Sequence, residues 1–124
     1  MKHTDTHKVL AASHSALYDF YARHHAKGTE VVRVKEVPLE YDHALSKVKQ
    51  KLNLLIGTPY SKPRSFGKGT TMFQFGGFTP ENGTKAMTVA EYINIIVDHY
   101  SDFTAAELSA LEAVAEIAMQ PTHA

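Results

Sequence analysis

Residues 57–70, GTPYSKPRSFGKGT, bring together three cations (Lys62, Arg64, Lys68), three glycines (Gly57, Gly67, Gly69) and two aromatic rings (Tyr60, Phe66), with no carboxylate. Glycines let backbone N–H groups approach an anion closely, and the cations supply countercharge, as in phosphate-cradling loops. The order of residues is not that of a nucleotide phosphate loop. In Gly67-Lys68-Gly69-Thr70 a glycine follows the lysine, and the flanking patterns run from helix into strand rather than from strand into helix.

A broader use of the same cations follows from what precedes the loop. Lys47, Lys49 and Lys51 carry the positive run upstream, so the stretch from 47 to 68 mixes cations with Tyr60 and Phe66. Single-stranded nucleic acid is held by that mixture, with cations on phosphates and rings on bases. An acidic protein surface suits it equally, whether the chain's own C-terminal segment, a second copy or a partner. The candidate anion-binding or partner-binding residues are therefore Lys47, Lys49, Lys51, Tyr60, Lys62, Arg64, Phe66 and Lys68. Phe73 and Phe75, which alternate with Met72 and Gln74, read as core.

No catalytic or metal-binding set emerges. There is no cysteine, hence no thiolate ligand or nucleophile and no disulfide. None of the eight histidines forms HExxH, and the adjacent His24 and His25 would point about 100° apart on a helix, which prevents chelation by the pair. No serine sits in a GxSxG turn. Glu40 and Asp42 fall at a helix start, where carboxylates favour the helix dipole without any reaction. No cofactor fingerprint is present, and no cofactor or metal is expected.

The 124 residues, 44% hydrophobic, suit one domain with one ordinary core. The net charge is zero, yet the signs are segregated. Residues 1–85 hold all 13 cations against 7 acids, a net of +6, while residues 86–124 hold 6 acids and no cation, a net of −6. A pI near 7.1 is far from that of a dedicated nucleic-acid binder. No run of 18 apolar residues can span a membrane, and the first 20 residues lack the apolar run of a signal peptide, so the expected compartment is the cytoplasm.

Periodicity then places the elements. Residues 6–26 read as one helix with Leu10, Leu17 and Tyr21 on a face shared with His14 and His24, ended by Gly28. Residues 29–38 alternate as a strand and stop at Pro38. Tyr41, Leu45, Val48, Leu52 and Leu55 mark the buried face of a helix over 39–56 with Gly57 as its cap, and the three lysines lie mostly off that stripe. TTMFQFGGF, 70–78, reads as a second strand, with a bulge or an end at Gly76 and Gly77, and TPENG, 79–83, as a tight turn.

Two capping boxes, Thr88 to Glu91 and Thr104 to Glu107, then start two helices. Ile93, Ile96, Val97 and Tyr100 form the buried face of the first, and Leu108, Leu111, Ala115 and Ala118 that of the second. Val114, Ile117 and Met119 widen the apolar surface of the last helix, which suggests another copy of the chain as a partner.

These readings combine into an α+β domain over residues 1–124: helix, strand, helix, strand and a C-terminal helical hairpin. The domain is basic over residues 1–85 and acidic over residues 86–124. The two strands pair antiparallel, or parallel if the intervening helix crosses over. The expected function is that of a non-catalytic binding protein, an accessory or inhibitory regulatory factor acting through protein contacts. The alternative is binding of single-stranded nucleic acid or a nucleotide phosphate by the 47–68 stretch.

Overall fold

A computed structural model of the chain describes residues 4–56, 70–77 and 86–120. Their order is α1 (Thr4–Ser13), α2 (Ser15–Lys27), β1 (Val31–Pro38), α3 (Asp42–Ile56), β2 (Thr70–Gly76), α4 (Val89–Asp98) and α5 (Ala105–Met119), with 3-10 turns at Leu39–Tyr41 and Tyr100–Asp102. The strands pair antiparallel, making this a small α+β domain, and the parallel alternative falls away. No helix among the described residues is long and apolar enough to cross a membrane.

The first helical segment is two helices where the sequence reads as one. His14 leaves the helical conformation, with φ −142° and ψ 74°. The break removes intrahelical acceptors from the first N–H groups of α2. Glu112, from α5, supplies them: its Oε2 accepts from Ala16 N at 2.8 Å and its Oε1 from Leu17 N at 3.3 Å. At its other end α2 stops as expected, with Gly28 at φ +66° donating to the His24 carbonyl.

Both expected capping boxes form. Thr88 N donates to Glu91 Oε1 and Glu91 N to Thr88 Oγ1, and the same reciprocal pair joins Thr104 and Glu107. The helices they start do not pack chiefly on each other. α4 lies on β2 with α1 and α2, α5 lies on β1 with α2 and α3, and α2 touches both. Tyr100, expected on the buried face of α4, sits in the following turn and is half-buried. The wide apolar face of α5 is used within the chain: Val114 is fully buried, and Ile117, Ala118 and Met119 pack partly buried against the core. The surplus that suggested a second copy is thus largely accounted for.

The sheet's inner face explains a break in the strand pattern. Phe73 and Thr71, two apart on β2, share a face and pair with Val34 and Val37, which are three apart on β1. An extra residue in β1 therefore keeps both valines inward, where strict alternation would have turned Glu36 into the core. Glu36 absorbs the irregularity at φ +60°, and it is exposed.

Two substitutions test this backbone. A Cβ at Gly76 (φ +83°) would lie 2.5 Å from the Glu30 carbonyl and 2.7 Å from that of Met87, both main-chain atoms. Gly76→Ala is expected to destabilise by about 2–3 kcal/mol in urea unfolding. Glu36→Gly relieves the left-handed penalty of a side chain but loosens the unfolded chain, and is expected to stabilise by about 0.5–1 kcal/mol.

Candidate functional site

The helix that carries the first three candidate cations, α3, sends them in three directions. Lys47 is exposed and makes no ion pair among the described residues. Lys49 is buried, 7% exposed, although the spacing places it off the apolar stripe. Lys51 is half-exposed and turns back on the chain: its Nζ donates to Glu107 Oε1 at 2.6 Å and to the Asp102 carbonyl at 2.7 Å, above the Phe103 ring. The structure does not bring the three together as one basic surface. The other candidates, Tyr60, Lys62, Arg64, Phe66 and Lys68, lie outside the described residues, as do Gly57 and the 79–83 turn.

The reason is the true period of the helix. Steps of four and three trace a heptad, which drifts by about 20° every seven residues on a helix of 3.6 residues per turn. The residues of α3 buried or packed on the core are Ala44, Leu45, Val48, Lys49, Leu52, Asn53 and Ile56. Lys49 is four residues after Leu45 and three before Leu52, and so falls within that arc. Leu55, expected in the buried face, has drifted to its margin and is 41% exposed.

Lys49 reaches into the aromatic heart of the domain. Its Nζ lies 5.0 Å from the Phe73 ring centre and 5.5 Å from that of Tyr92, and donates to the Gln74 carbonyl at 3.1 Å. Phe75 joins the group, 5.2 Å from Phe73 and 5.7 Å from Tyr92, and Phe20 of α2 packs 4.5 Å from Phe75. The ring faces and the carbonyl favour an ammonium. Loss of water outweighs them, and burial lowers the Lys49 amine from 10.5 to about 8. Burial alone pushes the Tyr92 phenol well above its ordinary range.

A second polar cluster joins three distant segments. His14 Nε2 is 3.0 Å from the Tyr100 hydroxyl, and its Nδ1 is 3.5 Å from Glu112 Oε1. The same Glu112 caps α2, so the cluster fastens the α1 to α2 break to α5. Among the described residues no three His, Cys, Asp or Glu side chains converge as metal ligands would.

Among the described residues, the outer side of α3 is where burial departs most from the ordinary. Leu54 is 85% exposed and Leu39, in the turn before the helix, 44%. Periodicity singles out neither of them. The signal lies in Leu54 all the same, a leucine off the apolar stripe. Comparison with known protein families, with curated proteins and with solved structures gives no match.

Lys49 yields a prediction with a defined sign. Between pH 8 and 10.5 the unfolded chain holds a proton on Lys49 that the folded protein has released, so stability rises with pH across that window. Relative to Lys49→Met, the wild type should gain about 1 kcal/mol from pH 7 to pH 9. At pH 7 the variant should be at least as stable as the wild type, because an apolar side chain replaces a buried charge. Urea unfolding of both proteins at the two pH values measures it, and parallel curves would show that the folded protein keeps Lys49 charged.

Proposed function

We propose that the chain is a non-catalytic binding protein, of the accessory or inhibitory kind, which acts by occupying another protein's surface through the outer side of α3. The observation that carries this reading is Leu54, 85% exposed in a domain that buries Tyr21, Tyr92, Phe20, Phe73 and Phe75 almost completely. A leucine held in water gains by association what core leucines gain by folding, about 25 cal/mol for each Å² covered. Leu55 and Leu39, each above 40% exposed, extend the apolar area at the two ends of the same helical segment.

The nucleic-acid alternative draws less support from α3. Binding to phosphates grows with the number of cations that a surface can offer together. Of the three lysines expected to supply them, Lys49 is buried and Lys51 is engaged by Glu107.

The test places a photo-crosslinking residue, p-benzoylphenylalanine, at Leu54 in the full chain and, as a control, at Ser109, an exposed position of α5. Irradiation in cells is expected to give discrete protein adducts from position 54 that are missing from position 109. Leu54→Glu in a competing copy should no longer displace them, whereas the wild-type copy should. Identical adduct patterns at the two positions, or none at position 54, would refute the reading.

A further inference from the structure

We propose that the junction at His14 is a two-state hinge through which α1 is exchanged between two copies of the chain. The sequence around it, LAASHSALYDF, holds no glycine or proline, and residues 6–26 carry the period of one helix. The bend is therefore imposed from outside the segment. Two hydrogen bonds already follow the helical pattern across it, from His14 N to the Leu10 carbonyl at 2.7 Å and from Tyr18 N to the His14 carbonyl at 2.9 Å. Between them ψ of His14 is 74°, about 115° from the helical value, and this one angle turns α1 out of line with α2.

Each state satisfies the first amides of α2. In the bent state Ala16 N and Leu17 N donate to the carboxylate of Glu112, and His14 meets the Tyr100 hydroxyl. In the straight state the same two amides reach the carbonyls of Ala12 and Ser13, four residues back, Ser15 N reaches that of Ala11, and Glu112 is released. What separates the states is the seat of α1. The helix lies on α2 and α4 with Leu10 fully buried and Val9 packed partly buried against the core, whereas Ala11, Ala12 and Ser13 are exposed. Straightening lifts Leu10 into water, a loss that a lone chain has no means to offset. A second copy offsets it, because α1 of each chain enters the seat left by the other and Leu10 meets the same neighbours as before. The seat is shaped to α1, and a second copy is the partner that brings an identical helix. Both chains then keep the continuous helix and its added hydrogen bonds.

Two substitutions push the hinge in opposite directions. Glu112→Ala removes the acceptor that holds the bend, and both chains of a dimer are relieved of it, so the dimer is expected to tighten by at least about tenfold. Ser15→Pro locks the bend. Proline suits the first position of α2, and His14 before it already has the extended conformation that a following proline requires. Ser15 is exposed, and its N–H makes no hydrogen bond among the described residues. In a continuous helix the same proline would clash with the Ala11 carbonyl, so the dimer is expected to weaken by at least about tenfold. Sedimentation equilibrium of the full chain and both variants, refolded at micromolar and millimolar concentrations, measures the two shifts. Circular dichroism of the Ser15→Pro monomer should match that of the wild-type monomer.

Exchange itself is read from a dimer refolded from equal parts of carbon-13-labelled and unlabelled chains. Isotope-filtered NOE spectra should show the Leu10 methyl groups in contact with the core of the other chain. This readout and the proline variant decide the matter even if Glu112→Ala does not fold. Monomers throughout at millimolar concentration would overturn the proposal, as would a dimer in which Leu10 contacts its own chain alone. A dimer that Leu54→Glu abolishes and Ser15→Pro leaves intact would also overturn it, and would assign self-association to the outer side of α3 instead.

Discussion

Among the described residues the β1 and β2 ribbon has no third strand, and a two-stranded ribbon in water is marginal without cover. The rest of the chain is arranged to supply that cover. Val34, Val37, Phe73 and Phe75 form a single buried face, and α4 and α5 lie on β2 and β1 respectively while Phe20 of α2 reaches Phe75 directly. The bulge at Glu36 belongs to the same requirement, because without it β1 would present one valine and one glutamate to the helices. Lys49 serves the outer margin of β2, where no third strand among the described residues pairs with Gln74 and its carbonyl accepts the lysine's hydrogen bond. A buried amine is a costly way to satisfy an edge carbonyl, and the aromatic faces of Phe73 and Tyr92 offset some of that cost.

The segregation of charge along the chain is resolved partly at home. Lys51 of the basic segment pairs with Glu107 of the acidic segment, and that carboxylate oxygen also accepts the Thr104 N–H of its own capping box. One side chain thus starts α5 and ties it to α3. Glu112 does comparable work on the other side, where its carboxylate takes up the N–H groups exposed by the break at His14. A carboxylate at a helix N-terminus is favoured by the helix dipole as well as by the hydrogen bonds. Two of the six acids of the C-terminal segment therefore fasten helices from the basic segment, and this use of charge is internal architecture rather than display.

Features that rest on local chemistry were readable in the sequence. The capping boxes, the αL glycine at position 28 and the termination of β1 at Pro38 each depend on residues a few positions apart, and each appears where the spacing placed it. Features that rest on distant residues were not. Nothing near His14 announces a helix break, because the carboxylate that makes the break tolerable is about a hundred positions away in the chain. The burial of Lys49 was half legible: its distance from Leu45 and Leu52 marks the inward arc, but a lysine there defies expectation until Gln74, Phe73 and Tyr92 are seen around it. The Glu36 bulge shows as a three-residue step from Val34 to Val37, a spacing that acquires meaning only against the two-residue step from Thr71 to Phe73.

Burial of Lys49 and exposure of Leu54 have one origin in the phase of α3. Leu54 lies nine residues beyond Leu45, about 180° around the helix from the centre of its buried arc. Leu45 and Leu52 are fully buried, so turning α3 far enough to shelter Leu54 would bring both into water. No rotation of this helix hides all of its leucines, and a turn large enough to free Lys49 would also disturb its contacts with Gln74, Phe73 and Tyr92. The exposed leucine is thus a property of the spacing itself rather than a local defect of packing. Within the described fold the side of α3 that carries Leu54 faces away from the core that the helix serves. Any cover for that leucine lies outside this core, which is why the proposed binding role is assigned to the outer face of α3.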